Sequence, residues 1–346
     1  MTTIPNPVLS ARLAQPDATA LEWGSESWSW QTLFERTLRA AQWLSDRGVV
    51  TGQVVTLTGS TCANWVAVYH GIGWIGAAAA PLDPKLNPLQ LDQQISALQP
   101  DFSCEPARID LEDIELDGNG PAERPWPLDE IRAVLWSSGT TGEAKRVELT
   151  TAQLLFSALG SALRLGHLPR DRWLNCLPLH HVGGLAILNR TAIYGTTMRR
   201  MEPFHAISIS QALCSGEITQ ISLVPTMWEQ VLDAMTKPGF PPSLRTILIG
   251  GAALSSELRR RGDAMAAPVA ETWGMTEAAS QVCTRSPHDG HGHADVGAPL
   301  PFARVQAQEG RLQVSGPIVQ RPFLTADTGR IDALGRVEIT GRVDDI

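Results

Sequence analysis

A string of small, hydroxylic and cationic residues follows an apolar segment near the middle of the chain. Residues 137–145 read Ser-Ser-Gly-Thr-Thr-Gly-Glu-Ala-Lys. The glycines let the backbone turn sharply toward an anion, the hydroxyls add donors, and Lys145 adds positive charge, so the string suits a triphosphate. It is not the familiar P-loop, because G-x-x-x-x-G-K-[ST] would need other residues than Ala144 and Arg146. A solvated Ser/Gly turn is the alternative that the string alone leaves open.

Alternating strand and helix patterns must position this string. Apolar periodicity predicts helices over residues 31–47, 64–75, 151–163, 185–192 and 226–234. Short β-branched runs predict strands over residues 54–57, 131–136, 173–177, 218–223 and 244–249. The alternation favours parallel sheets covered by helices, and therefore an α/β fold class.

The predicted organisation is a pair of doubly wound α/β subdomains followed by a small β subdomain. We place the first at about residues 1–130, the second at 131–295 and the β subdomain at 296–340, where the sequence turns to strand patterns. Residues 101–129 are acidic and rich in glycine and proline, and we interpret them as a surface connection.

Composition excludes several classes of protein. Of 346 residues 43% are hydrophobic and 18% charged, which is ordinary for a globular chain. The net charge of -8 argues against nucleic acid as the main partner. We see neither a signal peptide nor an apolar stretch long enough to span a bilayer. The cysteines lie far apart and are interpreted as small core residues in a reducing, cytoplasmic setting.

Four motifs in a fixed order carry a resemblance to a known family. The string at 137–145, Gly250-Gly251-Ala252, Trp273-Gly274-Met275-Thr276-Glu277 and Gly341-Arg342-Val343-Asp344-Asp345 resemble motifs of the adenylate-forming superfamily of acyl-CoA synthetases, peptide-synthetase adenylation domains and luciferases. Thr325-Ala326-Asp327 stands where that superfamily has T-G-D. The resemblance implies the large N-terminal domain of the adenylate-forming fold, with ATP, Mg²⁺ and coenzyme A as cofactors or co-substrates.

The resemblance also implies roles for individual residues in nucleotide binding. The phosphate loop would comprise Ser137, Ser138, Gly139, Thr140, Thr141 and Gly142 with Lys145. Gly250, Gly251 and Ala252 would lie against the adenine, and Trp273, beside Gly274, would flank the base. Thr276 would bond the α-phosphate and Glu277 would hold Mg²⁺. Asp327 and Arg342 would bind the ribose, and Asp344 would act as an interdomain hinge within residues 341–346.

A further segment indicates the acid. Residues 178–190 are similar to a stretch of the o-succinylbenzoyl-CoA synthetases of menaquinone and phylloquinone biosynthesis. The similarity implies His181 as a gate between acid and phosphates and Arg190 as the cation for the second carboxylate of an aromatic dicarboxylic acid. Ser222, Thr226 and Ser280 are further candidates for the acid pocket, and an arginine at a helix surface is the alternative for Arg190.

The function we expect is AMP-forming activation of o-succinylbenzoate and its transfer to coenzyme A. Members of the superfamily continue past the G-R-x-D-D motif into a C-terminal domain that supplies a catalytic lysine, so this chain is expected to bind ATP and acid but to catalyse weakly. A ligase for another aryl or acyl acid and a non-catalytic binding protein remain alternatives, and a kinase is a poorer one. We expect no membrane insertion, and a homodimer is an open alternative to a monomer.

Overall fold

The computed structural model describes residues 2–137, 145–289 and 295–343. By their internal contacts the residues form two compact units, unit 1 (residues 1–152 and 178–197) and unit 2 (residues 153–177 and 198–346). The loop residues Ser138, Gly139, Thr140, Thr141 and Gly142 and the hinge candidate Asp344 lie outside the described residues.

The helices and strands are numbered in chain order. The helices are α1 Pro7–Ala14, α2 Trp30–Ser45, α3 Ala63–Trp74, α4 Pro88–Leu98, α5 Thr151–Leu165, α6 Val182–Tyr194, α7 Ala206–Cys214, α8 Pro225–Ala234 and α9 Ser256–Ala264. The strands are β1 Thr3–Ile4, β2 Thr19–Trp23, β3 Glu26–Ser29, β4 Val54–Leu57, β5 Ala78–Pro81, β6 Phe102–Cys104, β7 Trp126–Pro127, β8 Ile131–Ser137, β9 Lys145–Thr150, β10 Arg172–Asn175, β11 Thr197–Arg200, β12 Gln220–Leu223, β13 Thr246–Ile249, β14 Val269–Met275, β15 Ser280–Thr284, β16 Arg304–Gln308, β17 Arg311–Ser315, β18 Phe323–Ile331 and β19 Val337–Arg342.

Unit 1 is built on a five-stranded sheet in the order β6-β4-β5-β8-β9. The first four strands are parallel, and β9 pairs antiparallel with β8 at the edge. Helices α2 and α3 pack so closely that a Cβ atom added at Gly71 of α3 would lie 2.8 Å from the Cβ of Ala40 in α2. Gly71 therefore allows the two helices to approach closely.

Unit 2 contains parallel strands in the order β14-β13-β12-β10, with β15 antiparallel beside β14. Their core includes Trp228, Ile221 and Ile247, all fully buried, together with apolar residues of α7, α8 and α9. Strands β16–β19 form a separate four-stranded antiparallel sheet. The parallel sheets with packed helices confirm the predicted α/β class.

Two details differ from the sequence-based interpretation. Residues 101–129 are not only a surface connection, because β6 pairs parallel with β4 and Leu111 and Trp126 are buried. These apolar residues were not recognised in the sequence because they stand among charged residues and prolines. Cys214 is exposed rather than a core residue, since it lies at the end of α7, whereas Cys104, Cys176 and Cys283 are buried as predicted.

The predicted subdomain boundaries can be compared with the two units. Strand β8, which we assigned to the second subdomain, pairs with β5 inside unit 1. The antiparallel sheet of β16–β19 occupies the region for which we predicted the small β subdomain. Among the described residues, no helix is long and apolar enough to cross a bilayer.

Candidate functional site

Two of the predicted motifs follow neighbouring parallel strands of unit 2. Gly250 and Gly251 come directly after β13, while Thr276 and Glu277 come directly after β14. Strands β13 and β14 pair in parallel, so their carboxyl ends meet at one edge of the sheet. Such an edge is the usual place for a ligand in an open α/β sheet.

The loop after β13 depends on its glycines. A Cβ atom at Gly250 would lie 2.6 Å from the Cγ2 atom of Thr272, and Gly251 has a φ angle of +85°. The hydroxyl of Thr272 donates to the carbonyl of Cys283 at 2.8 Å, so Thr272 cannot easily shift to make room for a side chain at position 250. Gly251 and Ala252 remain exposed, which leaves their backbone accessible to a planar ligand.

The turn between β14 and β15 is tight and is braced by α5. The hydroxyl of Ser157 donates to the carbonyl of Ala279 at 2.8 Å, and the side-chain amide of Gln153 donates to the carbonyl of Glu277 at the same distance. A Cβ atom at Gly274 would lie 1.7 Å from the carbonyl oxygen of Ser280, so only glycine fits. The turn thus holds Thr276 and Glu277 half-buried at the sheet edge.

Glu271, in the same segment, has a structural environment. Its carboxylate oxygens accept from the Nε and NH2 atoms of Arg259, each at 2.8 Å, and Arg285 also pairs with it. Its side chain is 4% exposed. A buried carboxylate that is saturated by two guanidinium groups has little capacity left for a ligand, so Glu271 anchors β14 to α9.

Asp327 lies between an indole and a guanidinium. The Nε1 atom of Trp273 donates to Oδ2 of Asp327 at 3.0 Å, and the NH1 atom of Arg342 donates to Oδ1 at 3.2 Å. Asp327 and Arg342 face each other across β18 and β19. The structure therefore brings together three of the predicted nucleotide-binding residues.

The predicted phosphate-loop residues that are described flank the loop. Ser137 ends β8 and Lys145 begins β9, and the two are paired in register. The Lys145 side chain is exposed, while Arg146 pairs with Glu148 at 2.7 Å. Arg146 thus has a neighbouring carboxylate as a partner within β9.

His181 is the N-cap residue of α6 in unit 1. Its ring lies 4.3 Å, between ring centroids, from that of His180, whose Nε2 is 3.7 Å from Oδ2 of Asp83. Burial against neighbouring groups lowers the pKa of His181, and the Asp83 carboxylate partly opposes this effect. The imidazole is therefore biased toward its neutral form, although part of the ring is exposed.

Arg190 is a buried residue of α6. It is only 2% exposed, so the alternative of an arginine at a helix surface is wrong. Burial lowers the pKa of its guanidinium, with an opposing influence from Tyr194. Its neighbour Asn189 exchanges hydrogen bonds with the hydroxyl of Tyr69 at 3.0–3.1 Å, which fixes α6 against α3.

The other candidates for the acid pocket have different environments. Ser222 is buried in β12, and its hydroxyl accepts from Nε1 of Trp173 at 3.1 Å. Thr226 is exposed in the first turn of α8. Ser280 begins β15 with a φ angle of +110°, and its carbonyl closes the turn against Gly274.

Several residues that shape this region were missed by the sequence analysis. Gln153 and Ser157 of α5 brace the turn at Glu277, and each lies more than 120 residues away in the chain from the residue that it contacts. Arg259 and Arg285 hold Glu271. No local motif marks these four positions. For the two arginines an available signal is the charged residue within an otherwise apolar strand, since such a residue indicates a buried ion pair.

The geometry around Glu277 fits a magnesium ion that is held mainly by phosphate and water. Among the described residues, no cluster of three or more histidine, cysteine or acidic side chains could hold a metal by itself. Mg²⁺ commonly takes one or two protein carboxylates and completes its shell with substrate phosphates and waters. A single half-buried carboxylate at the sheet edge meets that requirement.

Comparison with known proteins agrees with this architecture. The chain is 32% identical over 296 residues to 2-succinylbenzoate–CoA ligase of Bacillus cereus, which covers 83% of this chain and 61% of that protein. It is 29% identical to the enzyme of the same name from Bacillus cytotoxicus, with 100% and 80% coverage. The chain thus spans about three fifths of the length of the Bacillus cereus relative.

Solved structures show the same fold. The o-succinylbenzoate coenzyme A synthetase of Bacillus subtilis in complex with ATP and magnesium superposes with a TM-score of 0.91 at 27% identity, covering 100% of this chain and 81% of that one. Its complex with the acyl-adenylate intermediate gives 0.90 at 26% identity, with 100% and 79% coverage. Residues 10–318 match the family described as AMP-binding enzyme, and the chain therefore belongs to the AMP-binding enzyme family.

Proposed function

We propose that this chain activates o-succinylbenzoate with ATP to the acyl-adenylate and then forms its coenzyme A thioester, as an AMP-forming acid–thiol ligase of menaquinone or phylloquinone biosynthesis. Membership of the AMP-binding family supports the reaction class. The names of the relatives from Bacillus cereus and Bacillus cytotoxicus and the acyl-adenylate intermediate bound in the Bacillus subtilis structure support the acid. We propose a cytoplasmic location, and a homodimer stays a prediction.

The arrangement of Asp327 carries the proposal at the level of geometry. Its side chain is 14% exposed, and its carboxylate is oriented by Trp273 and Arg342. Each carboxylate oxygen has a further lone pair, so the group can accept the two hydroxyls of a ribose diol. The exposed backbone of Gly251 and Ala252 offers a surface for the adenine.

The remaining nucleotide contacts are proposed from the motifs. The loop of residues 138–142 with Ser137 and Lys145 would bind the β- and γ-phosphates, and Thr276 would donate to the α-phosphate. Glu277 would bind the magnesium ion. That ion supplies charge neutralisation at the phosphate oxygens, where negative charge develops during adenylyl transfer.

The chemistry follows from this placement of groups. An oxygen of the acid attacks the α-phosphorus, the bond to the bridging oxygen breaks, and pyrophosphate leaves. In the second step the thiol of coenzyme A attacks the acyl carbon and AMP leaves, while the thiol proton passes to solvent or a base. Neutral His181 would separate the acid from the phosphates without adding charge.

Recognition of the acid is proposed to depend on Arg190. o-Succinylbenzoate has a second carboxylate on its ring, and a guanidinium offers a planar fork for such a group. Burial strengthens a charge-assisted hydrogen bond because water competes less there. Ser222, Thr226 and Ser280 are proposed as weaker contributors to the same pocket.

The test is ATP–pyrophosphate exchange with a panel of acids, read alongside binding of ATP and acid by calorimetry. We expect exchange with o-succinylbenzoate and far less with benzoylpropionate, which has the same side chain but no ring carboxylate. Arg190→Ala should reduce this preference by roughly 30- to 100-fold, the effect of one charged hydrogen-bonded contact. Circular dichroism should verify that the variant folds.

Other outcomes would favour the alternatives. An Arg190→Ala variant with an unchanged preference would favour a ligase for a different aryl or acyl acid. Binding of ATP and acid without pyrophosphate release, even after a C-terminal domain is supplied in trans, would favour a non-catalytic binding protein. Release of ADP in place of AMP would indicate a kinase.

A further inference from the structure

The indole of Trp273 has two distinct surroundings. Its ring belongs to an apolar cluster with Leu312, Val314 and Ile318, and the residue is 9% exposed. Its N–H, in contrast, leaves the cluster and donates to Oδ2 of Asp327 at 3.0 Å. One side chain therefore connects the core of unit 2 with the carboxylate proposed for the ribose.

Asp327 makes further hydrogen bonds through its backbone and its second carboxylate oxygen. The hydroxyl of Thr325 accepts from the backbone N–H of Asp327 at 3.2 Å and donates to the carbonyl of Leu312 at 2.8 Å. Arg342 donates to Oδ1 at 3.2 Å, so within the part of the chain that the structure describes each carboxylate oxygen has one protein donor. The backbone and both oxygens of Asp327 are thereby fixed in direction.

Burial of a tryptophan does not by itself require such a bond. Trp228, in α8 of the same unit, is fully buried, and its N–H bonds to no residue in the described part of the chain. The fold thus tolerates a buried indole without an acceptor. The contact between Trp273 and Asp327 is consequently a feature of the site rather than a general need of the core.

We propose that Trp273 is a positioning residue that, through its N–H, orients Asp327 for the two hydroxyls of a ribose and so selects ribonucleotides over 2′-deoxyribonucleotides. The inference rests on the proposed function. With one donor on each oxygen, one lone pair per oxygen stays available, and the plane of the carboxylate is set. Phenylalanine would keep an aromatic ring at this position but supply no donor.

The test measures the Kd values of ATP and 2′-deoxy-ATP by isothermal titration calorimetry, which needs no turnover. We expect the wild-type protein to bind ATP more tightly. Trp273→Phe should reduce the ratio of the two Kd values by about five- to tenfold, the effect of weakening one hydrogen bond to a charged group. In an Asp327→Ala background the same substitution should leave the ratio unchanged, which a merely structural role would not predict.

A matched control and a second replacement keep the outcome clear. Trp228→Phe makes the same change at a buried indole of α8 and should retain the wild-type ratio. If Trp273→Phe does not fold, benzothienylalanine at position 273 preserves the ring shape without the N–H and should reduce the ratio equally. A wild-type ratio in a folded variant of Trp273 overturns the inference alone, whereas a wild-type chain that binds neither nucleotide overturns the proposed function as well.

Discussion

Three carboxylates of unit 2 illustrate how their neighbours prepare similar groups for different tasks. Glu271 is saturated by Arg259 and Arg285, and we regard it as structural. Asp327 accepts from one donor of the described ranges on each oxygen and keeps acceptor capacity. Among the described residues, no cation pairs with the Glu277 carboxylate, which suits a group that awaits a metal ion. The residue type alone does not distinguish the three.

His70 supports a prediction about pH. It is 2% exposed in α3, and burial lowers its pKa to about 3 from an ordinary value of 6.5. The unfolded chain therefore binds a proton below about pH 6.5 that the folded chain does not bind until about pH 3. The neutral imidazole thus makes its full contribution to stability above about pH 6.5. This contribution is lost as the pH falls from about 6.5 to about 3.

We expect the free energy of unfolding of His70→Leu to decrease less steeply at acidic pH than that of the wild type. Between pH 6.5 and pH 4.5 the wild type should lose up to about 1.4 kcal/mol per pH unit more than the variant, the linkage of a single proton. Urea denaturation at several pH values measures this difference. His205→Gln, at an exposed histidine, should follow the wild type, and parallel curves for wild type and His70→Leu would contradict the prediction.

At the scale of elements, the turn from β14 to β15 decides where Thr276 and Glu277 lie. The turn combines an αL residue at Ala279, a φ of +110° at Ser280 and the close approach of the Ser280 carbonyl to Gly274. Braces from α5 then hold it. The position of the catalytic candidates is therefore a property of two strands and a helix together.

Gly274→Ala tests this account of the turn. Because the new Cβ atom would meet a backbone oxygen at 1.7 Å, the turn must shift. We expect a loss of unfolding free energy of about 3 kcal/mol or more, together with weaker ATP binding. Chemical denaturation and calorimetry measure the two effects.

Gly262→Ala is the matched control for that substitution. Gly262 lies inside α9, and its added Cβ atom would find only ordinary contacts, the nearest at 3.5 Å from Trp228. Alanine should be neutral or stabilise the protein by about 0.5–1 kcal/mol through helix propensity. Equal effects of the two substitutions would exclude the steric explanation.

At the scale of the whole molecule, the candidates are distributed over both units. Gly250, Trp273, Glu277, Asp327 and Arg342 belong to unit 2. Lys145, His181 and Arg190 belong to unit 1. That they converge on one nucleotide and one acid stays a prediction.

Ligand binding should stabilise the molecule through linkage. ATP at about 100 times its Kd should raise the free energy of unfolding by roughly 2.7 kcal/mol if it binds only the folded state. Asp327→Ala, which removes the proposed ribose acceptor, should reduce this gain to about 1.4 kcal/mol or less at the same concentration. Thermal unfolding with and without ATP is the measurement.

Glu338→Gln provides the control on the same antiparallel sheet. Glu338 pairs with Arg330, which is largely exposed, and faces no proposed ligand. Its variant should retain the full stabilisation by ATP. A full gain in Asp327→Ala as well would show that this carboxylate does not contact the nucleotide.

Apolar periodicity in the sequence was sufficient for the main helices and strands of the parallel sheets. The predicted helix at 151–163 and strand at 131–136 nearly coincide with α5 and β8. Helices α1 and α7 were not predicted. Helices α4 and α9 were missed as well, α9 because it is short and polar, and α4 because most of its side chains are exposed and give no continuous apolar stripe. Their caps were the available signals, namely the Asn87–Gln90 capping box and Ser255.

The sequence by itself determined the fold class, the family and the residue types that can bind a nucleotide, because periodicity and short motifs are local properties. Only the tertiary structure decided that the Trp273 N–H meets Asp327, 54 residues away, and that Gln153 braces Glu277 across 124 residues. It also decided that Glu271 is an anchor and that Arg190 is buried. Such partnerships depend on strand register and packing between distant segments, which no local pattern encodes.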